Sequence, residues 1–169
     1  MLIRHATLSD ISSLVAVDKE AYGETGASKE YFVKKFSSFA QGIFVVQELE
    51  KVVGFIVVEI YEKNDIPLDF CNLQVRSSLP LKWMFIAAFT TATNYKKRGD
   101  DRKLLQAAEQ LGKKHGCNSI YVPLPPDHPF EENGVFNFWR SYEYRPVGSI
   151  HWIAPTEKLI ECDLFMKKL

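Results

Sequence analysis

The stretch that most constrains the fold is GIFVVQELEKVVGFIVVEIY, residues 42 to 61. Two runs of β-branched and aromatic residues flank the polar turn Glu48 to Lys51. Such runs on either side of a short polar turn predict a β-hairpin. Gly54 falls inside the second run, where a glycine marks a bulge or a close backbone approach. A chain with this hairpin builds a sheet, and the rest of the sequence has to cover it.

Upstream, MLIRHAT alternates and predicts a short strand. Thr7 or Ser9 then caps a helix in which Ile11, Leu14, Val15 and Ala21-Tyr22 fall near helical spacing. GETGAS reads as a loop by its glycines. Ser28 caps a second helix, with Glu30 early, where the helix dipole favours an acid. Phe32, Phe36 and Phe39 form a stripe at helical spacing, which predicts core packing.

Downstream, KWMFIAAFTT is a continuous apolar run and predicts a buried strand. From Asp100 to His115 a helix is expected, because Leu104, Leu105, Ala108, Leu111 and His115 share a face. Gly116 stands where a C-terminal cap belongs. NSIYVPL predicts another strand, PPDHPFEENG a proline-rich loop and VFNFWRSY a short helix. YRPVGSIHWI and KLIECDLFMKKL predict two closing strands joined at APTE. Residues 62 to 81 have two prolines and no sustained period, and predict a short element of their own or a lid. No repeat, linker or low-complexity run divides the chain. One domain over residues 1 to 169 is expected, of class α/β (α+β), with a mixed sheet packed by helices.

Charge narrows the function. Lys plus Arg equals Asp plus Glu, at 21 each, which argues against a nucleic-acid binder. The basic clusters that remain are residues 96 to 98, Lys113-Lys114 and Lys167-Lys168. Cys71, Cys117 and Cys162 lack a C-x-x-C spacing, and His5, His115, His128 and His151 are scattered, so no metal site is expected. Free thiols fit a reducing, cytoplasmic setting. MLIRHATLSD has no apolar signal region, and no run approaches the roughly 18 apolar residues of a membrane span. A soluble protein without a membrane partner is expected. KKRGDDRK lacks the Gly-Lys-Ser/Thr end of a nucleotide P-loop, and no G-x-S-x-G elbow occurs.

The chemistry concentrates in NYKKRGDDRKLL, residues 94 to 105. Successive N–H groups at a helix start, with the helix dipole behind them, can hold a phosphate, and a glycine lets the backbone come close. Two carboxylates in the first turn satisfy the same groups by themselves. A phosphate loop and a solvated, self-capped helix start both fit these residues.

The succession of strand, two helices, hairpin, strand, helix, strand, helix and two strands resembles the GNAT acyltransferase superfamily. IRHATLSDISSLVAVDKEAY resembles its opening strand and helix, and FVVQELEKVVGFIVV its second and third strands with the pair Gly54-Phe55. FNFWRSYEYRPVG resembles its F-Y-x-x-x-G-F element and CDLFMKKL its last strand. The resemblance spans nearly the whole chain except residues 62 to 81. It implies a GNAT-like sheet of about six to seven strands with about four helices. The family's acyl-CoA loop, [QR]-x-x-G-x-[GA], falls on Lys96, Lys97, Arg98, Gly99, Asp100 and Asp101. Gly99 keeps the first glycine, while Asp101 puts a Cβ and a charge at the second.

By that resemblance the acyl donor is acetyl-CoA. Phe89, Thr90 and Thr91 at the end of the fourth strand would polarise its thioester carbonyl through backbone N–H groups. Lys97, Arg98 and Arg102 would reach its phosphates. The family's tyrosine acid on the last helix is Trp139 here, at the edge of the implied cofactor site, and Tyr142 lies one turn on as the substitute acid. The glycine of that element is Glu143. Glu59, at the end of the third strand, is the candidate base, with Asp127, His128, Glu131 and Glu132 in the loop beyond the fifth strand. The acceptor would be a small-molecule or peptide amine. The alternative is a catalytically silent GNAT-fold module, without cofactor, that binds a ligand or protein in the same cleft. A homodimer through the late strands, with SIHWI exposed, is a third reading.

Overall fold

The N-terminal alternation yields strand β1 (Leu2–His5), then a 3-10 turn (Leu8–Asp10) and helix α1 (Ile11–Tyr22). Asp10 fixes that entry. Its Oδ2 accepts from Arg4 Nη1 at 2.7 Å and from the Thr7 backbone N–H at 2.8 Å, and Oδ1 accepts from Arg4 Nη2 at 2.9 Å. The Arg4 guanidinium first, and Thr7 after it, hold the Asp10 carboxyl well below the usual carboxylate range against the effect of burial. Helix α2 (Lys29–Phe39) follows. Ser28 caps it, its Oγ accepting from the Tyr31 N–H at 3.2 Å. Phe32 and Phe36 of the aromatic stripe are buried, and Phe39 is half-buried.

The hairpin forms as β2 (Ile43–Glu48) and β3 (Lys51–Glu62), antiparallel. Its two-residue turn places Leu49 at φ 55°. The bulge lies beside Gly54. Val46 pairs with Gly54 but Gln47 with Val52, so Val53 is the extra residue. Strand β4 (Lys82–Thr91), helix α3 (Asp100–Lys114), strand β5 (Ser119–Leu124), helix α4 (Val135–Ser141) and strands β6 (Arg145–Ile153) and β7 (Leu159–Lys168) complete the chain. Gly116, at φ 76°, stands just beyond α3 in the left-handed conformation of a helix C-cap. The computed structural model describes residues 1–62, 65, 79–92, 99–126, 134–156 and 158–169. Most of the element predicted for residues 62 to 81 lies outside them, as do Cys71, Lys96, Lys97, Arg98, Asp127, His128, Glu131 and Glu132.

The seven strands are hydrogen-bonded in the order β1-β2-β3-β4-β5-β7-β6. β4 and β5 are parallel, and β1·β2, β2·β3, β5·β7 and β6·β7 are antiparallel, so the sheet is mixed as expected. The chain divides into two units. Met1–Glu59 with Ala87–Leu111 has a core around Leu14, Phe32, Ile43, Phe55 and Leu104. Ile60–Ile86 with Gly112–Leu169 has a core around Trp83, whose ring meets Tyr61 at 5.1 Å and Tyr121 at 5.5 Å. The parallel ladder is short. Among the described residues it joins Met84 to Ile120 and Phe85 to Tyr121, and β4 then runs on to Thr91.

Candidate active site

The first unit holds the end of β4 and the start of α3 together. A Cβ at position 54 would lie 2.6 Å from Thr91 Cγ2 and 3.1 Å from the Thr90 carbonyl oxygen. Glycine in β3 thus makes room for the Thr91 side chain. Thr91 Oγ1 then donates to Asp101 Oδ1 at 2.5 Å. The carboxylate of Asp101 is therefore tied to the strand end. Its neighbour Asp100 is buried, and Oδ1 accepts from Lys103 Nζ at 3.2 Å. Gly99 has φ 77°, and among the described residues, its chain neighbours aside, no atom lies within 4 Å of where its Cβ would be. Lys103 N–H bonds back to the Gly99 carbonyl at 3.4 Å. The N–H groups before it have no acceptor inside the helix. Gly99 and Arg102 are exposed there, Asp101 is half-buried and Phe89 is half-buried.

Thr90 leads to a second cluster. Its Oγ1 donates to Asp18 Oδ1 at 2.6 Å, and Asp18 Oδ2 accepts from the Ala27 N–H at 2.6 Å. Burial pushes the Asp18 carboxyl above its ordinary value, against these two hydrogen bonds. Burial, and then the charge of Asp18, raise the Tyr22 phenol as well. The sequence carried a sign of this cluster that its reading passed over. Asp18 occupies a core position of α1, with Ile11, Leu14 and Val17, where an apolar residue belongs.

Glu59, the candidate base, is buried at the end of the first unit's share of β3. Its Oε2 accepts from Lys35 Nζ at 2.8 Å and its Oε1 from Ser38 Oγ at 3.3 Å. Lys35 Nζ also lies 5.2 Å from the Tyr31 ring centroid, and the Tyr31 hydroxyl donates to the Ala87 carbonyl of β4 at 3.1 Å. Glu59 thus fastens α2 to the sheet.

Trp139 and Tyr142 belong to the second unit. Trp139 is buried, with its ring 4.9 Å from Tyr144 and 5.4 Å from Phe138. Tyr142 is half-buried at the C-cap of α4, edge-on to Phe138 at 4.8 Å. Glu143 has φ 71°, the backbone shape that glycine favours. Its Oε2 lies 3.4 Å from Lys167 Nζ. Among the described residues, no group of three or more His, Cys, Asp or Glu could hold a metal, and no helix is long and apolar enough to cross a membrane.

Comparison with known proteins supplies the context. A search of curated protein sequences finds no match. Among solved structures, Ard1 from Thermoplasma volcanium matches with a TM-score of 0.75 and 14% identity, covering 99% of this chain and 97% of that one. Naa20 from Chaetomium thermophilum, in complex with a bisubstrate analogue, matches with a TM-score of 0.75 and 14% identity, covering 100% of this chain and 87% of that one. The NatC complex bound to Gag peptide and CoA matches with a TM-score of 0.72 and 10% identity, covering 99% and 98%. At such identities the likeness is one of fold. The family model for the acetyltransferase (GNAT) family matches residues 10–131. With most of its length matched, including β4 and α3, the chain belongs to the GNAT acetyltransferase family.

Proposed function

We propose that the chain is an acyl-CoA-dependent N-acyltransferase that moves an acetyl group from acetyl-CoA to a primary amine. The observation that carries this reading is the Thr91–Asp101 hydrogen bond at 2.5 Å. It engages the carboxylate that stands where the family has glycine or alanine. Asp100 is buried, with its carboxylate held by Lys103, so the exposed surface of the helix start is Gly99, Arg102 and Lys103. These features fit a diphosphate at the first N–H groups of α3. Gly99 to Arg102 would hold it, with Lys96, Lys97 and Arg98 supplying positive charge.

The chemistry follows from the thioester. The amine must be neutral, so its nitrogen attacks the carbonyl carbon as a base takes its proton. The C–N bond forms, the C–S bond breaks, and CoA leaves as a thiolate that is then protonated. N–H groups at Phe89 to Thr91 would stabilise the oxyanion. Glu59 and Tyr142 are the candidate base and acid. Glu59→Gln tests the role of the base through kcat, and Tyr142→Phe tests the acid in the same way.

Calorimetry with acetyl-CoA decides the main point. Binding should weaken with salt, and Asp101→Asn should tighten it several-fold, because asparagine keeps an acceptor for Thr91 and removes the charge. No binding at millimolar ligand would sink the proposal. The second reading, a silent binding module, is favoured by Trp139, which is buried against Tyr144 where the family has its acid. Binding of CoA without thiol release for any amine would select it.

A further inference from the structure

Among the described residues, no cation pairs with the buried carboxylate of Asp18. Burial, the Ala27 N–H and the Thr90 hydroxyl are the influences on it, and Tyr22 from its own helix is the titratable group beside it. A structural aspartate is ordinarily paired with a cation when buried. Here the raised proton affinity means that the charged form costs the fold stability. Such a group, at the end of the strand proposed to carry the thioester, points to a purpose other than stability.

Hydrogen bonding restricts what that purpose is. An ionised carboxylate only accepts, and a hydroxyl has a single proton. With Asp18 Oδ1 at 2.6 Å, that proton of Thr90 is committed to Asp18. The second oxygen of Asp18 holds the Ala27 N–H, and with it the connection between α1 and α2. That connection is closely seated, since a Cβ at Gly26 would lie 3.2 Å from backbone atoms of Asp18 and Lys19.

We propose that Asp18 is a positioning residue for acyl transfer: as an acceptor-only carboxylate it holds the Thr90 hydroxyl in one orientation and clamps the α1–α2 connection to β4. It deepens the acyltransferase reading and rests on it. Thr90 lies in the segment whose N–H groups would meet the thioester, so Asp18 acts through Thr90 on the reacting carbonyl. Losing the carboxylate would free the Thr90 hydroxyl and let the strand end shift.

Two measurements test this. In an amide NMR titration of the full chain, the Ala27 resonance should move with a midpoint above the ordinary aspartate range. In Asp18→Asn that titration should vanish, and in Thr90→Val it should persist with a higher midpoint, since one stabilising donor is gone. An Ala27 amide that does not titrate, or does so in the ordinary range, overturns the proposal. In thiol release from acetyl-CoA with a panel of small amines and short peptides, Asp18→Asn and Thr90→Val should lower kcat at least tenfold with KM for acetyl-CoA unchanged, while Thr90→Ser restores it. Equal losses in Thr90→Ser and Thr90→Val, or a change in KM alone, would mean that the contact only holds the fold. A wild type that releases no thiol overturns the acyltransferase reading and the role in transfer with it, while the titration still decides whether the Asp18 carboxylate holds the α1–α2 connection.

Discussion

Asp101 shows how one residue can be read correctly as a departure and still be placed by its neighbours. The sequence displays a charge at a glycine position. It does not display that Thr91, ten residues earlier, holds the carboxylate. Gly54 belongs to the same contact. Alanine there would meet Thr91 Cγ2 at 2.6 Å, so Gly54→Ala should cost about 1–3 kcal/mol by overpacking. Thr91→Ser removes that methyl group and keeps the hydroxyl, so the double variant should recover much of the loss in urea unfolding. An additive pair would show that the two sites do not touch. Asp10 gives a pH signature. Its folded carboxyl titrates below the unfolded one, so its contribution is complete above the unfolded value of about 4 and is lost as pH falls below it. Asp10→Asn should therefore cost about 1–3 kcal/mol at neutral pH, by loss of charge-assisted hydrogen bonds, with a gap to wild type that narrows in acid. A gap independent of pH would show that Arg4 is not its source.

The elements themselves were largely legible. Strand alternation, the β2–β3 turn, the Ser28 cap and the bulge by Gly54 are local features, set by residues close in sequence. What was hidden is tertiary. Glu59 looked free to serve a cleft, and only the fold brings Lys35, 24 residues away, to its carboxylate. Asp18 and Thr90, 72 residues apart, are a still longer closure. Two connections also carry residues poorly matched to their backbone. Leu49 is 92% exposed at φ 55°, and Glu143 sits at φ 71°. An L-residue with a side chain loses about 1–2 kcal/mol in that region compared with glycine. Leu49→Gly and Glu143→Gly should each stabilise the fold by about 0.5–1 kcal/mol after the added entropy of the unfolded chain is subtracted. A lower urea midpoint for both would show that their side chains contribute more than the backbone costs.

For the whole molecule, the family's overall order of strands and helices was readable because it is written as a succession of local periods. The cofactor question was not, because it depends on where two charges point. Ligand linkage provides a global check. Acetyl-CoA at a hundred times its Kd should stabilise the chain by about 2.7 kcal/mol, seen as a rise in Tm that shrinks with salt. An unchanged Tm at millimolar acetyl-CoA would count against binding. The Thr91–Asp101 bond has one more consequence, for how such chains are found. A search that demands glycine or alanine at the last loop position discards this chain. A pattern that accepts aspartate there when a hydroxyl residue ends the preceding strand would keep it. The strand end and the loop then form a single signature with two spellings, and substitutions at the two positions should travel together among descendants of this chain.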